Sequence, residues 1–282
     1  MTRPLVVFSH ANGFPSGSYR KFFSSLEPHV DIRALDMLAH DPRFPVNDNW
    51  GNLVHELLAF IDVHCDRPVF GLGHSMGALV TFMAAHRAAE KFRGIIMLDP
   101  PIINGWSAHV FQLAKWMGKA DVVTPAAKSR NRRRAWPSRE EAIADLGQKK
   151  LFANFDPDCL HDYVFSVTEE RSDGFHLRFL VENELAIFRT TPSNPYRYLR
   201  RLQVPGAVIT GATSEVSLQQ HVSRLCRRHG MTHGTAPGGH MFPLEQPDEA
   251  ARRVREQIHA WVQQAARSGG ATRPGQGHGY VG

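Results

Sequence analysis

The sequence has few cysteines and no long apolar run, and both shortages restrict what kind of protein it encodes. Its 282 residues contain three cysteines, Cys65, Cys159 and Cys226, which form neither a CxxC pair nor a cysteine/histidine cluster with metal-ligand spacing. An odd and scattered set argues against a disulfide framework and favours a reduced, cytoplasmic protein. Only four consecutive apolar residues precede Ser9, too few for the core of a signal peptide. No segment approaches the length of a membrane span.

A large charge excess and the common cofactor motifs are also missing. Lys and Arg number 33 against 27 Asp and Glu, and the net charge of +6 is too small to indicate nucleic-acid binding unless it is concentrated. The densest basic stretch, residues 130–134, is interpreted as a solvated helix end. The sequence contains no GxGxxG, no P-loop and no metal-ligand spacing. We therefore expect neither a cofactor nor a metal, and the oligomeric state is left open.

Apolar runs alternate with helical patterns through about the first hundred residues. This alternation predicts an α/β fold, with a mostly parallel sheet flanked by helices on both faces. The pattern changes after Asp99, becomes helical and rich in Trp and Phe, and returns to alternation near residue 206. We therefore predict a core formed by residues 1–103 and 196–267, interrupted by a helical cap at 104–195. The Gly-rich residues 268–282 are predicted to be a disordered tail.

One short segment has the pattern of a nucleophile turn. An apolar run at residues 69–72 leads into Gly-His-Ser-Met-Gly at 73–77, and the residues that follow have the composition of a buried helix. A strand, a sharp turn and a helix in this order expose the central serine at the tip of the turn. The pattern therefore predicts Ser75 as a nucleophile. The Met76 N–H, at the helix N-terminus, is expected to point towards an anion formed there.

A serine hydroxyl is a weak nucleophile at neutral pH and needs a base within hydrogen-bonding distance. Sixteen histidines are available, and the context of His240 is the most informative. It follows a weak strand pattern and two glycines, which let the backbone turn, and a helical segment comes after it. This order places His240 in a loop at the strand ends, and we predict that it is the base.

The loop after the first strand is expected to supply a second N–H for the oxyanion. It reads Ser-His-Ala-Asn-Gly-Phe-Pro over residues 9–15, and its Gly-x-Pro turn exposes backbone amides. We expect the Phe14 N–H to be the donor beside Met76, with Asn12 as the alternative. Four further residues are expected to line the substrate pocket: His10, His74, Trp106 and Met241.

Together these motifs resemble the α/β-hydrolase superfamily, in particular its lipase/esterase and haloalkane-dehalogenase-like members with an inserted cap. The resemblance covers about residues 4–103 and 196–265. It depends on Asn-Gly-Phe-Pro at 12–15, which is similar to the His-Gly-x-Pro oxyanion loop of the family. It also depends on Gly-His-Ser-Met-Gly at 73–77 and on Gly-Gly-His at 238–240. The resemblance implies an α/β-hydrolase fold and a triad in the order serine, acid, histidine.

The acid departs from the usual pattern of the family. The position at which many members carry it, three residues beyond Gly211, is Ser214, which cannot balance the charge of a histidine. The resemblance implies a second position, at the end of the strand after the nucleophile helix, and Asp99 stands there. We expect Asp99 to be the acid, with Glu215 as the alternative.

The predicted function is a cofactor-independent serine hydrolase, most simply a carboxylic ester hydrolase acting on a small-molecule acyl substrate. Dehalogenase chemistry is disfavoured because it requires a carboxylate at the position of Ser75. Thioester or carbon–carbon bond hydrolysis remains possible on the same residues. A non-catalytic ligand-binding protein is the hypothesis from a different class. Nucleic-acid binding through residues 130–134 is not expected.

Overall fold

A computed structural model describes residues 2–103, 109, 112–113, 115–117, 121, 124, 129–192 and 200–270. Six parallel strands form its main sheet, in the spatial order β2-β1-β3-β4-β8-β9. The bounds of these strands are β1 Leu5–Ser9, β2 Asp31–Ala34, β3 Val69–His74, β4 Phe92–Leu98, β8 Gly206–Gly211 and β9 Thr232–Ala236. The prediction of a mostly parallel sheet flanked by helices is confirmed.

The central strands β3 and β4 are apolar because helices cover both of their faces. Every residue of β3 is buried, and so is all of β4 except one arginine. Apolar side chains on the two faces of the sheet belong to two separate core clusters. Such continuous apolar runs are typical of parallel strands.

Three helices belong to the first part of the chain: α1 Arg20–Leu26, α2 Gly51–His64 and α3 Met76–Arg87. Helix α3 follows β3 directly, and its residues 76–85 are all buried. One turn of 3-10 helix, Ser16–Tyr19, precedes α1. The last helices are α7 Gln219–His229, α8 Phe242–Glu245 and α9 Pro247–Gly270. Helix α9 extends three residues into the segment predicted as a disordered tail, and residues 271–282 lie outside the described part of the chain.

The described residues between β4 and β8 form helices and also a small sheet that the sequence analysis missed. Its described helices are α4 Arg139–Gly147, α5 Pro157–Val167 and α6 Val181–Arg189. Its strands are antiparallel, in the order β5-β7-β6, with bounds β5 Ala135–Trp136, β6 Thr168–Arg171 and β7 Gly174–Leu177. Strand β6 has three exposed charged residues, so it lacks the apolar alternation by which a strand is recognised.

Helix α5 joins this insert to the core. The Arg20 guanidinium lies 2.6 Å from the buried carboxylate of Asp162, and the hydroxyls of Ser18 and Ser166 are hydrogen-bonded at 2.7 Å. These contacts attach the insert beside the first loop of the sheet. Among the described residues, no helix combines the length and the apolar character needed to span a membrane.

Candidate active site

Ser75 lies at the junction of β3 and α3 in a strained backbone conformation. Its φ of 53° and ψ of −115° are unusual for a residue with a side chain. The turn is tight because β1 passes directly beside it: a Cβ atom added to Gly77 would lie 2.0 Å from the Ser9 carbonyl oxygen. Only glycine can occupy position 77 without moving β1. The result is a half-buried serine at the tip of a sharp strand-to-helix turn.

The side chains of Ser75, His240 and Asp99 form a hydrogen-bonded chain. His240 Nε2 lies 3.0 Å from Ser75 Oγ, and His240 Nδ1 lies 2.7 Å from Asp99 Oδ2. Because a carboxylate only accepts hydrogen bonds, His240 Nδ1–H donates to it. In the neutral ring, Nε2 is then unprotonated and can accept the Ser75 proton. This arrangement can act as a general base on the serine hydroxyl.

The carboxylate of Asp99 is fully buried and accepts two further hydrogen bonds. The Gly211 N–H donates to Oδ1 at 2.8 Å, and the Ser214 hydroxyl donates to Oδ2 at 2.6 Å. Ser214 therefore contacts the same carboxylate oxygen as His240. The alternative acid, Glu215, lies exposed on the turn after Ser214, while His240 Nδ1 contacts Asp99. The geometry thus brings Asp99, and not Glu215, to the histidine.

The Phe14 N–H, the expected oxyanion donor, is hydrogen-bonded within the turn that contains it. This N–H donates to the Ala11 carbonyl at 3.0 Å and closes a four-residue turn with Gly13 at a φ of 75°. A positive φ at the third residue is typical of a type II turn, in which the fourth N–H bonds back to the first carbonyl. The Phe14 N–H is therefore already used. Its ring packs into the insert, 4.7 Å from the ring of Tyr163.

Two other amides of the predicted oxyanion site have no hydrogen-bond acceptor within the described part of the chain. They are the N–H of Met76, at the first position of α3, and the backbone N–H of Asn12. The Asn12 side chain is engaged elsewhere, since its Nδ2 donates to the Glu184 carbonyl on α6 at 3.0 Å. The neighbouring Ala11 N–H donates to the Tyr19 hydroxyl at 3.3 Å. Of the two amides expected to serve in this loop, those of Phe14 and Asn12, the main-chain N–H of Asn12 is therefore the one left to donate.

His10 and His74, both expected to line the substrate pocket, are buried, and both ring nitrogens of each residue are hydrogen-bonded within the protein. His10 accepts the Leu38 N–H at Nε2, 2.7 Å away, and its Nδ1 donates to the Ala11 carbonyl at 2.8 Å. Burial lowers the pKa of His10 to about 4 and that of His74 to about 3. His10 borders a cavity of about 10 Å³, room for roughly one water molecule.

The two remaining pocket residues differ in what the structure shows. Met241 follows His240 and is buried in the core cluster that contains Val6 and Phe8 of β1. Trp106 lies outside the described residues.

An ion pair of the insert, between the half-buried Arg132 and the buried Glu184, lies against the predicted oxyanion loop, and the sequence analysis did not identify it. Arg132 Nη1 lies 3.0 Å from Glu184 Oε2, and Arg132 Nη2 donates to the Tyr163 hydroxyl at 2.8 Å. A Cβ added to Gly13 would lie 3.1 Å from Glu184 Oε1. No local pattern could have revealed this pair, because its members are 52 residues apart.

Most arginines of the basic stretch at 130–134 form ion pairs. Its arginines meet carboxylates within the insert, in the pairs Arg130–Asp121, Arg132–Glu184 and Arg134–Glu182. Arg133 lies over the ring of Trp136. Since most of these charges are balanced locally, the stretch does not form a free cationic surface.

Comparison with known proteins gives consistent matches over most of the chain. A family model described as the alpha/beta hydrolase family matches residues 6–253. A monoglyceride lipase homolog from Monkeypox virus is 21% identical over 278 residues, covering 92% of this chain and 89% of that protein. A type I acyl-CoA thioesterase from Penicillium brevicompactum is 26% identical over 172 residues, covering 55% of this chain and 37% of that protein.

Solved structures show the same fold at low sequence identity. The structure of an E-2-(acetamidomethylene)succinate hydrolase superimposes with a TM-score of 0.74 at 15% identity, covering 92% of both chains. This likeness concerns the fold alone.

Proposed function

Because the chain belongs to the alpha/beta hydrolase family, we propose that it is a cofactor-independent serine hydrolase that cleaves carboxylic esters through an acyl-enzyme on Ser75. The observation that carries this proposal is the hydrogen-bonded chain from Ser75 through His240 to the buried Asp99. A nucleophile, a base and a group that orients the base are the three parts that such chemistry requires.

The first half of the reaction forms the acyl-enzyme. Ser75 Oγ attacks the carbonyl carbon of the ester while its proton moves to His240 Nε2. The Asp99 carboxylate stabilises the resulting imidazolium through Nδ1–H. The Met76 N–H and the backbone N–H of Asn12 donate to the oxyanion. When the tetrahedral intermediate collapses, the ester C–O bond breaks and His240 gives its proton to the departing alcohol.

The second half repeats these steps with water. His240 Nε2 takes a proton from a water molecule, whose oxygen attacks the acyl carbon bound to Ser75. The same two N–H groups hold the second oxyanion. Its collapse breaks the bond to Ser75 Oγ, returns the proton from His240 to the serine and releases the carboxylic acid. No step needs a metal or a cofactor in the proposed scheme.

The insert, residues 104–195, is proposed to be the cap that shapes the acyl site. Its described part packs on the first loop: the Phe14 ring lies among Phe152, Phe155 and Tyr163. The Glu184 carbonyl accepts a hydrogen bond from the Asn12 side chain. We propose that a substrate reaches Ser75 between this insert and the edge of the sheet.

The substrate is proposed to be a small-molecule acyl ester. One relative is named as a monoglyceride lipase homolog and another as an acyl-CoA thioesterase. Both names describe the cleavage of an acyl bond, and a thioester is the second candidate substrate because of the thioesterase. The three free cysteines, Cys65, Cys159 and Cys226, support a reduced compartment, and we propose a cytoplasmic protein.

The proposal is tested by labelling with a fluorophosphonate probe and by turnover of p-nitrophenyl esters. We expect the wild type to be labelled and active and Ser75→Ala to be neither. Ser24→Ala is the matched control, since Ser24 is an exposed serine on α1 whose hydroxyl donates to the Lys21 carbonyl. An unlabelled wild type, or equal labelling of Ser75→Ala, would refute the serine mechanism.

Esters and thioesters are then compared at matched acyl length. We expect kcat/KM to be higher for the ester. A clear preference for the thioester would keep the mechanism and change the substrate class.

A further inference from the structure

Two buried residues that the proposed reaction does not use, Tyr19 and His74, link the loops on either side of Ser75. Both are fully buried, and the Tyr19 hydroxyl lies 2.7 Å from His74 Nδ1. His74 Nε2 lies 2.9 Å from the His240 carbonyl oxygen. The Ala11 N–H, next to Asn12, lies 3.3 Å from the Tyr19 hydroxyl oxygen. Three hydrogen bonds thus connect the oxyanion loop to the histidine loop.

The direction of each bond follows from its chemistry. The His240 carbonyl can only accept, so His74 carries its proton on Nε2. Burial, together with the nearby His240, lowers the pKa of His74 to about 3, so its ring is neutral and Nδ1 has no proton. The Tyr19 hydroxyl therefore donates to Nδ1, and its oxygen accepts the Ala11 N–H. All three bonds run in one direction, from Ala11 to His240.

This chain of hydrogen bonds fixes the positions of the two loops, because both of its ends bind backbone atoms. One end binds the main chain of the residue before Asn12, and the other end binds the main chain of His240 itself. His74 is also the last residue of β3, directly before Ser75. A shift at either end would change the distance between the oxyanion donor and the base.

We propose that Tyr19 and His74 are positioning residues, which set the spacing between the oxyanion loop and His240 across Ser75. This inference rests on the proposed function, because the spacing matters only if the site transfers an acyl group. Tyr19→Phe removes the hydroxyl and leaves the Ala11 N–H and His74 Nδ1 without partners. Small misplacements of reacting groups can lower rates by about a hundredfold.

The main experiment compares Tyr19→Phe with Ser18→Ala. The control residue is adjacent and buried, and its hydroxyl bonds to Ser166 of the insert instead of to the site. We expect Tyr19→Phe to lower kcat by about 10- to 100-fold with KM changed by less than about threefold. Ser18→Ala is expected to keep kcat within about twofold of the wild type. Equal kcat values for the two variants would overturn the proposal and leave the serine mechanism standing.

A double-mutant cycle tests whether Tyr19 and His74 act as one chain. His74→Leu removes both ring nitrogens, including the acceptor for the Tyr19 hydroxyl. We expect Tyr19→Phe/His74→Leu to have a kcat within about threefold of the weaker single variant, since the second change breaks a chain of hydrogen bonds that is already broken. Losses that multiply in full would overturn the coupling.

Histidine ¹⁵N NMR of the wild type tests the chain without mutation and without activity. The expected signature is a neutral His74 ring protonated on Nε2 that does not titrate between pH 8 and about 5. A ring protonated on Nδ1, or titration near pH 6.5, would overturn the proposal even if the variants fail to fold. An inactive wild type with the expected signature would refute the proposed function and retain the hydrogen-bonded chain.

Discussion

Replacement of Asp99 by asparagine is expected to disable the proposed base by forcing the wrong tautomer on it. The two Asp99 oxygens face different partners: Oδ1 accepts the Gly211 N–H, and Oδ2 accepts Ser214 and His240. An amide must place its NH₂ group in one of these positions. Opposite Gly211 it would face a main-chain donor that cannot become an acceptor. The NH₂ group therefore takes the other position, where it donates to His240 Nδ1 and leaves the ring proton on Nε2.

The size of this effect follows from what Nε2 has to do. With a proton on Nε2, His240 cannot accept the proton of Ser75, 3.0 Å away. Loss of the orienting acid in a serine triad lowers turnover by about ten-thousandfold, which corresponds to about 5 kcal/mol of transition-state stabilisation. Since asparagine has the shape of aspartate, the fold should change little.

A carboxylate placed in the loop after β8 is expected to restore part of the activity lost in Asp99→Asn. The Ser214 hydroxyl lies 2.6 Å from the carboxylate oxygen that His240 uses, so a carboxylate at this position can approach the same ring nitrogen. We expect Asp99→Asn/Ser214→Asp to recover at least about tenfold of the kcat/KM lost in Asp99→Asn. Glu215→Gln serves as the control, because this exposed carboxylate should change kcat/KM by less than about twofold.

The assay is kcat/KM for a p-nitrophenyl ester at pH 8, with circular dichroism and thermal unfolding to verify the fold of each variant. A folded Asp99→Asn variant within about tenfold of the wild type would refute the argument from the tautomer. If Glu215→Gln loses as much kcat/KM as Asp99→Asn, the assignment of Asp99 as the acid is refuted. If only the rescue fails, a carboxylate at position 214 does not replace one at position 99.

Three further predictions concern stability. Burial raises the pKa of Glu56 to about 7 from an ordinary value of 4.5, so stability is lost as the pH rises from 4.5 to 7. Glu56→Gln should therefore raise the free energy of unfolding at pH 8 by up to about 3 kcal/mol, measured by urea titration. A free energy of unfolding equal to that of the wild type would contradict the raised pKa. His10 has the opposite sign: its pKa is lowered to about 4, so the unfolded chain binds the proton first as the pH falls below 6.5. Stability in the Glu56→Gln background should therefore fall between pH 6.5 and 4, with His10 contributing up to about 3 kcal/mol, and a flat profile would refute this. Gly77→Ala should cost about 3 kcal/mol or more, measured by thermal unfolding, because its Cβ would lie 2.0 Å from the Ser9 carbonyl oxygen. Gly234→Ala, whose Cβ meets nothing within 4 Å, is the control, and an equal loss in both variants would contradict the packing argument.

The parts of the fold that sequence could predict are those whose signals are local. The apolar runs at 5–8 and 69–72 correspond to β1 and β3, and the helical spacing after residue 51 corresponds to α2. The run at 32–38 is only partly a strand, because β2 ends at Ala34. After Ala34 the chain turns, and the Leu38 N–H bonds to the His10 ring instead of to a neighbouring strand. An apolar pattern does not show where a side chain, here His10, replaces a neighbouring strand as the hydrogen-bond acceptor of a main-chain N–H.

The site shows the same division between local and non-local signals. A motif of five residues was enough to place Ser75 at the tip of a turn. The oxyanion donor was not accessible in this way, since the choice between Phe14 and Asn12 depends on which amide closes the turn at Ala11. The roles of His10 and His74 depend on where each ring points at the end of a strand. Each ring has partners in a distant segment, Leu38 for His10 and Tyr19 and His240 for His74, which one sequence does not reveal.

The ambiguity over the acid has a physical cause in the parallel pairing of β4 and β8. Leu98 lies opposite Ile209, and the Asp99 N–H donates to the Ile209 carbonyl at 2.8 Å, so the two strands end at the same edge of the sheet. A carboxylate following either strand can therefore reach one imidazole. What distinguishes the two is the set of donors: Gly211 and Ser214, from the β8 side, both point at the side chain that follows β4. The loop after β8, which could have carried the acid, instead donates hydrogen bonds to it. This contact can be recognised only in the folded structure, where the two strands lie side by side.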